Sequence, residues 1–481
     1  MGNVHIVSTL KNKELQKKAV HHSSSTVFFA VHNPDNGIDT EVSLLNHFLL
    51  KRGISDVVAT IEIRELSGNL ICSFKESFDK ERVYSWKLSK FIKSKFIGSI
   101  SVYFNSNENL AVPFCAVTSA IVSPNSVCGI HTYGRRLEQK ELGSNLDMSE
   151  TTETGWTARD NSSVKSFAIL HGGKFELNLK LKIEISNHNN QKLVINKNIY
   201  LAPFGTFLVV PQNLSDYVVE HLNDKKGYIK VYISGLSGVF PRMLCGNFLT
   251  NSNNSSEIIN AEEIQFTHTN FDFSSIEQPD AEGNFGYFNQ PSIPQGYGIV
   301  YPVETKKIIS IDKKNYQSNS LHHIEINEMS QVDIVAQKEN LPSRFVAATI
   351  GRWKNAQIES ECSTGTFIED YLKVPCHWHW GLLKPSLDNG EGIISIVVGK
   401  FNRNEDISRT LKLRLFDNKK LIIEKNIFID EHKKISTANL LSKNLLNSAI
   451  WYVLSGDKLE DLNIFSTFYP ENKAGFVEHA F

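Results

Sequence analysis

The stretch Ala449-Ile450-Trp451-Tyr452-Val453-Leu454, followed by Leu462-Asn463-Ile464-Phe465-Ser466-Thr467-Phe468 and Gly475-Phe476-Val477-Glu478-His479-Ala480-Phe481, decides the fold. Its short apolar runs are rich in aromatic and β-branched side chains and are broken by turns, which reads as strand, turn, strand, turn, strand.

Three earlier stretches follow the same plan. The first opens at Thr26–His32, ends in the turn cluster Asn33-Pro34-Asp35-Asn36-Gly37, and continues through Val57–Arg64, Leu70–Phe74, Gly98–Phe104 and a closing strand at Gly129–Tyr133. The second runs from Ser166–His171 through the alternating Leu177–Ile185 to Gly227–Ile233 and Ile264–Thr269. A third is marked by Glu339-Asn340-Leu341-Pro342-Ser343-Arg344-Phe345, whose layout matches Glu108-Asn109-Leu110-Ala111-Val112-Pro113-Phe114, and by a close at Gly365–Tyr371. With Gly98, Gly227, Gln331 and Ser448 as equivalent positions, the separations are 129, 104 and 117 residues. Those are sandwich-domain lengths, far above the period of a solenoid.

The expected fold is therefore all-β: three to four serial antiparallel β-sandwich-like units with little helix. The expected boundaries are an N-terminal arm over 1–25, units at 26–134 and 164–272, and a polar linker or long loop at 135–163. A Gly/Pro/aromatic loop at 273–297 precedes a third unit at 298–372, short enough to call for a strand borrowed from its neighbour, and a fourth unit at 373–481.

Composition agrees with strands, since 29 Phe and 14 Tyr accompany only 4 Met. The 51 basic residues nearly balance the 52 acidic ones, so no global field draws the chain to nucleic acid. Cys72, Cys115, Cys128, Cys245, Cys362 and Cys376 form no C-x-x-C pair and read as reduced, mostly buried thiols. The first thirty residues lack a secretory apolar core and no run reaches 18 apolar residues, so a cytoplasmic protein without membrane insertion is expected.

Phosphate-loop, dinucleotide, H-E-x-x-H and G-x-S-x-G signatures are absent from the sequence. Three patterns remain. In Cys376-His377-Trp378-His379-Trp380, alternate residues of a strand share a face, so His377 and His379 are candidate ligands for a zinc-like divalent metal, with Asp370 or His479 completing the set. The competing reading leaves the two imidazoles in solvent and the Trp rings in the core. The second pattern is a polar titratable residue recurring on closing strands, at His131, His268, Asp370 and His479, with His32 and His171 ending two opening strands. His32 beside His131, and His171 beside His268, is the arrangement this suggests, and a shared packing role is the plainer explanation. The third is the group Phe285, Tyr287, Phe288 and Tyr297 among amides, together with Trp156 in the polar linker. Exposed rings beside amides stack on sugars or anchor protein interfaces, and buried ones simply pin a connection.

These readings point first to a non-catalytic binding or assembly protein that needs no cofactor, with a glycan or another protein as partner and homo-oligomerisation in keeping with it. The alternatives are a metal-dependent hydrolase or lyase around His377 and His379, and a structural component of a virion or surface assembly.

Overall fold

The computed structural model describes residues 20–110, 115–131, 134–136, 152–189, 191–240, 243–251, 257–267, 376–398, 408–441, 447–460 and 462–481, with parts of 285–367, mostly as backbone. The fold is all-β, built of serial antiparallel sandwich-like units. Period-2 patterning explains the individual strands. Leu177–Ser186 buries Leu179, Leu181, Ile183 and Ile185 and turns Lys180 and Lys182 to the other face.

Setting aside the two-residue strand Val239–Phe240, which pairs with Arg135–Arg136, and counting strands within each unit, every unit has the order 1-6-3-4 in one sheet and 5-2-7-8 in the other. The first unit runs from Ser23–His32 to Val127–His131, and the second from Thr152–Ala158 to Glu263–Thr267. The third runs from Phe285–Gln290 to Ser360–Ser363, with an added pairing by Thr366–Phe367, and the fourth from Trp378–Lys384 to Phe476–His479. Gly98, Gly227 and Gln331 all fall in the sixth strand of their units.

Three expectations need correction. The stretch expected as a linker holds the first strand of the second unit, Thr152–Ala158, antiparallel to Gly227–Ser234. The expected Gly/Pro/aromatic loop holds Phe285–Gln290, which pairs with Ser330–Ala336 and gives the third unit a first strand of its own. The third unit's eighth strand is Ser360–Ser363, upstream of Gly365–Tyr371. Thr152–Ala158 is terminal and Phe285–Gln290 next to terminal in their sheets, and Ser360–Ser363 has only four residues, so few inward apolar residues were available to carry a period.

Two of the junctions use one repeated head-to-tail contact. The backbone N–H of Thr206, opening the second unit's fifth strand, donates to the carbonyl of Leu66 in the first unit's 3–4 turn at 2.9 Å. Val83, opening the first unit's fifth strand, donates to Asp417 beside the fourth unit's 3–4 turn at the same 2.9 Å. A heterologous contact of this kind, seen here at two junctions, is the type that closes a ring when the remaining units also touch.

The eighth strands form the inner seam of that ring. Ser126, just before the first unit's eighth strand, accepts from Ile264 N–H at 2.9 Å and donates to the Ile264 carbonyl at 3.0 Å in the second unit. Thr267 pairs in parallel with Glu361 of the third unit, and Cys362 meets His479 of the fourth at 3.4 Å. Val127 N–H donates to the Ala474 carbonyl at 2.8 Å, closing the fourth unit onto the first.

Closure explains why some strands are buried on both faces. Trp451, in the fourth unit's sixth strand, is fully buried and its Nε1 donates to Ser43 Oγ in the first unit at 3.1 Å. Arg136, between the first and second units, donates through Nε to Gly172 O at 2.9 Å, through Nη2 to Phe204 O at 3.0 Å and through Nη1 to Tyr103 OH at 3.1 Å, and also bonds Ser101 Oγ. Among the described residues no helix is long and apolar enough to cross a membrane.

Candidate functional site

Because the eighth strands run side by side, their C-terminal ends deliver polar groups from three units to one place. His131 ends the first unit's eighth strand, Cys362 lies in the third unit's, and Glu478 and His479 end the fourth unit's. Among the described residues, one group of three candidate metal-binding side chains has its ligand atoms within 4.8 Å of one another: His131, Glu478 and His479.

Glu478 is the hub. Its side chain is 2% exposed, and a carboxylate taken so far out of water needs donors. Oε2 accepts from the His131 backbone N–H at 3.1 Å and Oε1 from the His131 ring Nδ1 at 2.8 Å. The backbone N–H of His479 gives Oε1 a further bond at 3.1 Å. The His479 Nδ1 lies 3.7 Å from the same oxygen, and its side chain is 37% exposed, which makes it the outermost member.

Cys362 adds a sulfur. Its Sγ lies 3.4 Å from His479 Nδ1 and 3.9 Å from Glu478 Oε1. Burial, and then the Glu478 charge, push this thiol well above the usual cysteine range, so it is protonated at neutral pH. The His131 ring stands edge-on to His479 at 4.5 Å and to Phe481 at 5.0 Å between centroids. Phe481 in turn stacks on Trp380 and Trp451, which gives the cluster an apolar floor. Tyr452, fully buried nearby, has its hydroxyl pKa raised by burial and secondarily by Glu478.

The structure thus brings together two of the four closing-strand positions expected from sequence, His131 and His479. Asp370 and His268 lie outside the described residues. His377 and His379 do not join the group. His377 is exposed, with Nδ1 3.3 Å from Gly456 O and 3.7 Å from Asp457, whereas His379 Nε2 lies 3.3 Å from Leu459 O and 3.5 Å from Cys376 Sγ. Burial lowers the His379 pKa, as expected for an imidazole under a strand. Nor does His32 approach His131: it bonds Asp39 at 3.1 Å, and His171 bonds Thr206 Oγ1 at 2.9 Å in full burial, its pKa lowered to about 3.

Trp156 is a further correction. It is 0% exposed within the second unit's core and offers no ring to a ligand. Phe285, Tyr287 and Phe288 lie on one strand and Tyr297 begins another, Tyr297–Pro302, while their side chains lie outside the described residues. All six cysteines are free, as their spacing suggested.

Two members escaped sequence reasoning. Glu478 precedes His479, and strict alternation sends consecutive strand residues to opposite faces. At the strand's end both nevertheless reach one point. Cys362 sits in Ser-Glu-Cys-Ser, where a lone thiol carries no spacing signal.

No protein-family model matches this chain, and a search of curated proteins finds no match. Function is therefore read from geometry.

Proposed function

We propose that the chain is a non-catalytic binding or assembly protein that acts through the outer edges of its ring. One observation carries the reading. The fourth strands Leu70–Ser77, Lys192–Leu201 and Leu421–Ile429 are each terminal in their sheets. Each also exposes large apolar side chains: Leu70 and Ile71, Val194 and Tyr200, Leu421 and Phe428, all at 39% or more. A terminal strand offers backbone N–H and C=O groups to a further strand, and apolar side chains on it favour that pairing. The same display in three units suits a partner chain or a second copy added edge-on. A component of a virion or surface layer is the case in which many copies add.

A second reading rests on the second unit's outer face. Lys180, Lys182, Asn196, Lys197, Asn198 and Tyr232 line an open depression of about 450 Å³. A phenol ring beside amides and ammonium groups suits a saccharide, the ring stacking on a sugar face while the amides and ammoniums bind hydroxyl or acidic groups.

Light scattering over a concentration series, paired with a glycan array, tests both. Edge assembly predicts a mass that rises with concentration and falls back when Ile71 and Val194 are both replaced by Lys. Saccharide binding predicts array signals lost in Tyr232→Ala. A monomer at every concentration that binds no glycan defeats the proposal.

A further inference from the structure

We propose that His131, Glu478, His479 and Cys362 form a structural site for one zinc-like divalent metal that ties the first, third and fourth units together at the ring axis. This goes beyond the assembly reading and does not depend on it.

The distances fit the ion. Zinc–ligand bonds of about 2.0–2.2 Å to N and O and about 2.3 Å to S place the corners of a tetrahedron roughly 3.3–3.7 Å apart. The separations from Glu478 Oε1 are 2.8 Å to His131 Nδ1, 3.7 Å to His479 Nδ1 and 3.9 Å to Cys362 Sγ, and Sγ lies 3.4 Å from His479 Nδ1. Reaching tetrahedral values opens the short His131–Glu478 edge by about half an ångström and draws the Cys362 sulfur inward, since the three side chains whose ligand atoms lie within 4.8 Å of one another are His131, Glu478 and His479. The set of two imidazoles, one carboxylate and one thiolate is borderline-soft, which suits zinc over magnesium or calcium.

The ligands also match the site's electrostatics. Without an ion, the Glu478 charge is held by the His131 ring N–H and two backbone N–H groups. Metal binding replaces the ring N–H with a coordinate bond: His131 changes tautomer, Nδ1 releasing its proton to solvent while Nε2 takes one up, so the neutral ring becomes the ligand. The Cys362 thiol likewise loses its proton to solvent as the sulfur–metal bond forms. The two backbone N–H bonds remain and orient the carboxylate, the supporting role that fixes a ligand's direction.

Four protein ligands fill a tetrahedron. A catalytic zinc keeps one position for water or substrate, whereas a closed four-ligand site is structural. Ligands drawn from three sandwiches make such an ion a clamp on the ring, and a ligand that binds the folded ring alone raises its stability by mass action.

The test uses the full chain, stripped by a chelator and titrated with zinc in a calorimeter and with cobalt in a spectrophotometer. The expected result is one equivalent bound more tightly than about 1 μM. The cobalt form should show tetrahedral absorption with a thiolate charge-transfer band, and the band should vanish in Cys362→Ser. His479→Ala, whose ligand is the most exposed of the four, should weaken binding by more than about 100-fold, beyond what outer-sphere changes produce. His377→Ala is the control and should bind as the parent does. Zinc should raise the thermal midpoint of the parent and leave that of His479→Ala in place.

The wild-type spectrum decides the matter even if a variant misfolds. Stoichiometric metal absent from the calorimetry, or cobalt bound without a thiolate band, overturns the assignment. So does binding abolished by His377→Ala and kept by His479→Ala, which would return the site to the Cys376–Trp380 strand.

Discussion

Replacing Trp451 tests whether the ring closes between its fourth and first units. The indole is 0% exposed, and its Nε1 donates to Ser43, 408 positions away in the chain, at 3.1 Å. Its ring also stacks on Phe481 at 6.1 Å and 10°. A buried Trp covers about 150–250 Å², and at about 25 cal/mol per Å² that is roughly 4–6 kcal/mol of gross stabilisation. Alanine retains a little of the area and leaves a cavity, so Trp451→Ala should cost about 3–5 kcal/mol. Trp451→Phe keeps a ring in the slot, gives up the hydrogen bond and part of the area, and should cost about 1–2 kcal/mol. Urea unfolding of the full chain, followed by the shift in transition midpoint at unchanged slope, measures both. Adding Ser43→Ala closes a double-mutant cycle, in which the coupling between indole and hydroxyl should be about 1 kcal/mol. A cost below about 1 kcal/mol for Trp451→Ala, or no coupling to Ser43, would mean that the fourth unit does not seat on the first, and the ring argument fails with it.

Other perturbations probe neighbouring joints. A methyl on Gly475 would run into the Phe468 carbonyl oxygen and come 2.9 Å from the Trp353 ring, so Gly475→Ala should destabilise by about 2 kcal/mol or more in the same urea assay. Arg136→Lys loses a fork that serves Gly172, Tyr103, Ser101 and Phe204 from one planar group, and thermal unfolding should register a loss of about 2 kcal/mol or more. Glu41 is buried against the fourth unit, with Ser386 donating to it twice at 2.8 Å, and burial raises its pKa above 4.5 in the fold, against the opposing pull of Ser386 and Lys87. Its contribution to stability is thus full below the unfolded value and is lost as pH rises through the folded one. Measured against Glu41→Gln, which cannot ionise, wild-type stability should fall as pH climbs above 4.5, and the opposite slope would contradict a carboxyl held by burial.

The core of each sandwich was legible in the residues because it rests on neighbours along the chain. Leu177–Ile185 alternates, and it buries one face. Gly98, Gly227 and Gln331 stood as equivalents in the sequence, and all three occupy sixth strands. Alternation failed where a strand was short or lay at a sheet's edge. Thr152–Ala158 reads as polar until the core is seen to take Trp156 and Ala158. The third unit looked too short for the same reason, since its first strand lay hidden in a stretch of Gly, Pro and amides.

The axial cluster was half visible. His131 and His479 drew notice as residues on closing strands, but they lie 348 positions apart and belong to different sandwiches. His377 and His379, two residues apart on one strand, looked the better pair, and the fold gives them separate partners. By itself, then, the amino-acid sequence determined that this chain makes strands, pairs them into sandwiches and does so in series, because strand formation answers to side-chain alternation over a few residues. Only the tertiary structure decided that the sandwiches close into a ring and that His131, Cys362, Glu478 and His479 meet on its axis. That outcome depends on how whole sheets seat against one another, and no local pattern encodes the place where three distant strands come together.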